Sequence, residues 1–302
     1  MKKAVMIFAA VILAAVFLMS GYQVCLILRE TKSAESTYQD LNRFVTLPGQ
    51  AGNGTAAGTE FGKDGKKSPE NGADSSKNGD GSGSVMPGKE AAGKEENCPE
   101  VDFESLRGMN SQTVGWIYGE DTKINYPVVQ AKDNAYYLDH MFDGQKNANG
   151  CIFLDCGNQM DFSDSHSIIY GHHMKSGAMF AGLSQYKNQA YYEAHPRMLL
   201  LTPDGNYNVE LFAGYVADVE EDAWQIGFES EENFSDWIDR SMAKSCISTD
   251  IVPSTSDKIL TLSTCSYEFE NARFVLLGIL KFREGEENVS NVSSLRQTIV
   301  PD

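Results

Sequence analysis

The sequence predicts a mostly β domain, an antiparallel barrel or sandwich with helical insertions, set behind an apolar N-terminal segment and a low-complexity stretch. Three observations carry that prediction. Short runs rich in β-branched and aromatic residues recur from about Pro99 to Arg283. Turn signals separate them, the clearest being Pro203-Asp204-Gly205-Asn206. Helical periodicity is confined to a few places, chiefly Ser230 to Lys244, where Phe234, Trp237, Ile238 and Met242 form one apolar stripe on an acidic helix.

Taken in order, the chain opens with Lys2-Lys3 and an apolar run from Ala4 to Leu28. As a helix of ~25 residues this run is ~37 Å long, enough to cross a bilayer. The two leading lysines place the N-terminus in the cytoplasm and the rest outside. Residues 1–29 therefore read as an uncleaved signal-anchor, with a cleaved signal peptide as the competing reading. Residues 30–98 read as a short stalk with weak helical character, followed by a flexible linker. From Pro48 to Asn97, Gly, Ser, Lys, Glu, Asp and Asn dominate, too polar to offset the entropy of ordering. Residues 99–283 form the folded domain. In it, Phe103 to Met109 reads as a helix, and Thr113 to Tyr118 and Ile124 to Val129 as strands. Pro127 points to an edge or a bend in the second. Further strands are expected at Cys151 to Asp155, Ser167 to Tyr170, Arg197 to Thr202, Tyr207 to Val219, Lys258 to Thr264 and Arg273 to Phe282. A helix is expected over Met179 to Ala194. Residues 284–302 form a polar tail.

The 302 residues carry 42 Asp+Glu against 25 Lys+Arg, a formal charge of -17. Such a surface repels phosphates, so a nucleic-acid partner is excluded as a working reading. The six cysteines do not make a disulfide-dense scaffold in a chain this long. Their spacing fits no zinc site, and the adjacent His172-His173 cannot form an i,i+4 ligand pair. No metal and no cofactor is expected. Whether Cys151 pairs with Cys156 stays open.

The segment that carries chemistry is Thr261-Leu262-Ser263-Thr264-Cys265. A run of β-formers ends in a cysteine, a loop follows, and the next strand opens at Arg273. A thiol at a strand terminus can face a groove, but it needs a base or a cation to become thiolate at neutral pH. His172, at the end of another strand, is a candidate acid/base partner. Arg273 has the donor fork for an oxyanion. Each of the three has an ordinary structural reading as well, and the residues alone leave the choice open.

Thr-Leu-Ser-Thr-Cys with an Arg eight residues on resembles the sortase signature, and Tyr170-Gly171-His172 resembles the family's histidine segment. Trp116-Ile117, Ile124 to Gln130, Asp133 to Leu138, Gly150 to Asp155, Thr264 to Phe269 and Ala272 to Val275 are similar to class B members in particular, as is the helix Ser230 to Lys244. The resemblance spans about Phe103 to Phe282. It implies a closed eight-stranded sortase-type β-barrel and a cysteine transpeptidase. On that reading Cys265 attacks the Thr carbonyl of a C-terminal sorting motif in an exported protein, His172 handles the protons and Arg273 steadies the oxyanion. An amine of a cell-wall precursor of the lipid II kind then resolves the thioacyl intermediate. Ser263, Thr264 and Tyr267 are the expected substrate-binding residues. His172 is preferred to His173 because the family places its histidine directly after Gly. The rival functions are a cysteine endopeptidase that releases surface proteins, a non-catalytic surface receptor that keeps the barrel, and a pilin-polymerising enzyme.

Overall fold

The computed structural model describes residues 2–47 and 98–283. The low-complexity part of the linker, 48–97, and the tail, 284–302, lie outside the described residues.

Eight strands close a barrel among the described residues: β1 (Thr113–Tyr118), β2 (Asn125–Val129), β3 (Ile152–Leu154), β4 (His166–Tyr170), β5 (Arg197–Thr202), β6 (Gly205–Asp218), β7 (Lys258–Cys265) and β8 (Ala272–Phe282). Around the barrel the order is β8-β6-β5-β1-β2-β3-β4-β7, closing on β8. The closed eight-stranded barrel that the resemblance implies is the one that forms. Two of the neighbour pairs, β2 with β3 and β4 with β7, are parallel. A parallel pair cannot be joined by a tight turn, so each needs a long crossover. The first is the run of residues 130–151; the second carries β5, β6 and the helix Glu231–Lys244 before the chain returns to β7.

Pro127 sits inside the barrel wall and not on an edge. It lies opposite Trp116 of β1, while β3 pairs with β2 only at Val128 and Val129. The missing N–H therefore costs no ladder bond on the β3 side. The core is apolar and fully enclosed, with Trp116, Ile168, Leu262, Phe274 and Leu276 at 0% exposure.

Helix α1 (Lys2–Leu41) is one continuous rod of 40 residues. Its first part exposes Leu13, Phe17, Leu18, Met19 and Leu28, and it is the one described helix long and apolar enough to cross a membrane. Beyond residue 29 the helix changes character. Ala34, Tyr38 and Leu41, spaced four and three apart on one face, are buried against the barrel. The weakly helical stalk of the sequence reading is thus ordered by packing on the barrel. Helix α2 (Phe103–Met109) is capped by Asp102, whose side chain accepts from Ser105 N at 2.9 Å.

The expected helix over Met179 to Ala194 divides into a 3-10 helix, Phe180–Lys187, and helix α3 (Gln189–Ala194). Asn188 makes the break. It is extended, and its side chain accepts from Ala190 N and Tyr191 N, so it starts a new helix instead of continuing the old one. Helix α4 (Glu231–Lys244) follows its sequence signature closely. Ser230 caps it, Glu231 and Glu232 occupy the first turn and Lys244 the last, as the helix dipole favours. Phe234, Trp237 and Ile238 bury their stripe against Phe212, Ala213 and Tyr215 of β6.

Candidate active site

Strand register brings the three candidate residues together. In the antiparallel pair β7–β8, Cys265 lies directly opposite Arg273. In the parallel pair β4–β7, Tyr170 lies opposite Ser263, and Gly171 N donates to Ser263 O at 3.0 Å. Two residues further along each chain come His172 and Cys265. Side chains two apart share a face, so the imidazole, the thiol and the guanidinium arrive on one rim from three adjacent strands.

The link between β4 and the histidine is narrow. A Cβ on Gly171 would collide with Ile152 Cδ1 and sit 2.7 Å from the Phe180 ring. Only glycine lets the chain leave β4 past those side chains. The His172 carbonyl then accepts from Phe180 N at 3.0 Å, which fixes the backbone on its far side.

The imidazole of His172 hydrogen-bonds to the Cys265 thiol. Its Nε2 lies 2.7 Å from Leu138 O. A carbonyl only accepts, so Nε2 carries a proton and Nδ1 is left to face the sulfur. The hydrogen bond to Cys265 raises the His172 pKa, with help from the Leu138 carbonyl and against burial and the Arg273 charge. The same hydrogen bond lowers the Cys265 pKa, with the Arg273 cation also favouring thiolate and burial opposing it. The pair is coupled, so its titration belongs to both residues together. Other cysteines are driven the opposite way: burial pushes Cys246 up, and pushes the fully enclosed Cys151 up to about 12. Cys151 and Cys156 form no disulfide with each other. They flank β3 as separate thiols, one buried and one exposed.

His173 points elsewhere. Its Nδ1 lies 3.1 Å from the backbone carbonyl of Cys265, and its ring meets Tyr267 edge-on at 5.2 Å. It props the β7–β8 loop and does not address the sulfur.

The three residues expected to bind substrate are placed differently from one another. Tyr267 is 71% exposed at the rim. Ser263 is buried, and its Oγ accepts from Trp224 Nε1 at 3.2 Å. Thr264 is buried on the other face of the strand, with its Oγ1 unpaired.

Sequence reasoning missed several supports of this rim. Lys187 pairs with Glu268, and both hold Ser266, next to the nucleophile candidate. These partners hold Glu268 down at about 2. His166 is wholly buried behind β7. Its Nδ1 lies 2.7 Å from Gln225 O and its Nε2 2.7 Å from Thr261 Oγ1. Burial pushes its pKa down to about 4, so it is a neutral strut. A histidine opening a strand gives no sign of this beforehand. Among the described residues, no group of three or more His, Cys, Asp or Glu is gathered to hold a metal.

No family model matches the chain. Sortase B of Listeria monocytogenes is 37% identical over 181 residues, covering 59% of this chain and 74% of that protein. The chain belongs to the sortase B family. It is accordingly a sortase-type cysteine transpeptidase. Solved sortase B structures share the barrel. A Staphylococcus aureus sortase B–substrate complex superposes with a TM-score of 0.57 at 32% identity, over 60% of this chain and 84% of that one. A sortase B complexed with triglycine gives 0.57 and 32%, over 60% and 85%.

Proposed function

We propose that the enzyme cleaves a C-terminal sorting motif of exported proteins after Thr and joins the Thr carbonyl to a cell-wall amine, with Cys265, His172 and Arg273 as its catalytic residues. The observation that carries this is the register of β4, β7 and β8, which sets an imidazole and a guanidinium on either side of one thiol whose pKa they lower.

In the first half-reaction the Cys265 thiolate adds to the Thr carbonyl carbon. The carbonyl oxygen takes the negative charge and Arg273 stabilises it. As the C–N bond breaks, imidazolium His172 gives its Nδ1 proton to the leaving amine, and a thioester remains. In the second, an incoming amine attacks the thioester. Neutral His172 takes its proton, and Cys265 leaves as thiolate. Tyr267 offers the substrate an exposed ring, while Ser263 and Thr264 shape the strand beneath it. The acceptor is an amine of a lipid II-like precursor; the triglycine bound by a related sortase B is a peptide with a free amine of that class. No cofactor or metal enters these steps.

Helix α1 anchors the enzyme, with Lys2 and Lys3 in the cytoplasm and the barrel outside. Its exposed Leu, Phe and Met surface is what a bilayer would cover.

The test uses the full chain in nanodiscs with fluorogenic peptides carrying Asn-Pro-x-Thr-x or Pro-x-Thr-Gly motifs, with and without triglycine, beside Cys265→Ala. Mass spectrometry should find triglycine joined to the Thr carbonyl, and only with Cys265 present. Free acid alone at saturating acceptor would instead establish an endopeptidase.

A further inference from the structure

The turn packed against His172 and its carbonyl partner, Leu138 O, is bonded to the N-terminal helix. Tyr38 of α1 is 7% exposed, and its Oη donates to Gly150 O at 2.6 Å across 112 residues of sequence. Its ring also meets Tyr126 edge-on at 5.5 Å, which fixes the phenol laterally. Gly150, in turn, is wedged against the site. Its φ is +59°, and an added Cβ would collide with Tyr137 O and sit 2.9 Å from Leu138 O and 3.1 Å from His172 Cδ2. Glycine therefore lets the backbone touch both the imidazole and its carbonyl partner. The same turn is tied to α1 a second time, because Asn147 Nδ2 donates to Glu30 O at 3.0 Å. Gly150 N donates to Asn147 O at 3.0 Å and Cys151 N to Tyr137 O at 2.9 Å, so the end of the crossover is tied back to its own middle beside His172.

We propose that the last three turns of α1 are a positioning element for the acid/base step: Tyr38, through Gly150, seats the Leu138 carbonyl and the His172 ring, so that the active site is complete only with the N-terminal helix docked. The inference rests on His172 being the acid/base residue. Tyr38 touches no reacting atom and acts only through the turn. The physical reason is the tolerance of proton transfer: a catalytic group displaced by an ångström costs up to about a hundredfold in rate. Docking of α1 also connects the apolar segment 4–28 to the site, since that segment and the docked turns lie on one continuous helix.

The test compares the full chain in nanodiscs with Tyr38→Phe, Asn147→Ala and His172→Ala, using a fluorogenic sorting-motif peptide and triglycine. Tyr38→Phe keeps the ring and its packing and removes only the donor. It should lower kcat by about tenfold with KM nearly unchanged. The alkaline limb of its pH profile should move to lower pH, because the Leu138 carbonyl no longer favours the imidazolium. Asn147→Ala should act in the same direction, which keeps the test open if Tyr38→Phe folds poorly. A loss of thermal stability with an unmoved pH profile would reduce Tyr38 to a packing residue and overturn the inference. Wild-type kcat and pH profile in both variants, with His172→Ala inactive, would overturn it while leaving the catalytic reading intact. Full activity of His172→Ala would instead remove the catalytic reading on which it rests.

Discussion

Arg273 acts on both members of the proposed catalytic pair at once. Its charge favours thiolate at Cys265 and disfavours imidazolium at His172. Removing it should raise both pKa values. Arg273→Ala is therefore expected to shift both limbs of the kcat/KM–pH profile upward, in addition to lowering the maximum by roughly 10²–10³ through loss of an oxyanion donor. Arg273→Lys keeps the charge and loses the planar fork, so its limbs should stay in place while the rate still falls. A pH titration of both variants separates the two roles. Limbs that do not move in Arg273→Ala would show that the guanidinium is too far from the sulfur to matter. His173→Ala offers a companion measurement. Its ring props the Cys265 carbonyl and Tyr267, so the variant should keep the pH profile and chiefly raise KM by a few fold if Tyr267 meets the substrate.

At the scale of elements, α4 and the strut behind β7 decide how firmly the groove wall is held. Trp237 is 1% exposed in the α4–β6 cluster, and its Nε1 donates to Asp222 O at 2.9 Å. Trp237→Ala is expected to cost about 3–5 kcal/mol of stability. Chemical denaturation of the micelle-bound chain would measure it, and a loss below about 1 kcal/mol would mean that the helix packs loosely. His166 adds a pH dependence. Its folded pKa of about 4 lies below its ordinary value of 6.5, so the unfolded chain binds the extra proton first. Its contribution is full above about pH 6.5 and is lost as pH falls toward 4, at most ~3 kcal/mol. His166→Asn should remove that slope in thermal melts recorded between pH 7 and 4. A slope unchanged in the variant would assign the acid sensitivity to carboxylates.

For the whole molecule, the membrane reading makes a prediction about covalent integrity. If α1 stays as an anchor, the mature protein purified from membranes keeps Lys2 and Lys3, and intact mass spectrometry finds the full N-terminal segment. It should also resist extraction by alkaline carbonate. A mass shortened by the apolar segment would mean a processed signal sequence. That outcome would still leave the question of how Tyr38 docks, since residues 30–41 pack on the barrel in the same helix.

By itself the sequence determined the strands and most of their bounds, because alternating apolar residues and turn chemistry are local properties. Arg197–Thr202 and Glu231–Lys244 follow directly from their residues and caps. The apolar segment and the candidate nucleophile were legible for the same reason, and a family resemblance supplied the pairing of Cys265 with His172 and Arg273. Tertiary structure alone decided the rest. The resemblance had named His172 over His173, but how the ring is held follows from strand register and from a carbonyl, Leu138 O, that every residue type carries and no motif can mark. That Ser263 is covered by Trp224 depends on a contact 39 residues away. That the stalk is part of the barrel domain depends on Tyr38 meeting Gly150, 112 residues on. Such contacts are made of backbone atoms and buried surfaces that exist only once the chain has closed, which is why the elements could be read along the chain and the support of the site could not.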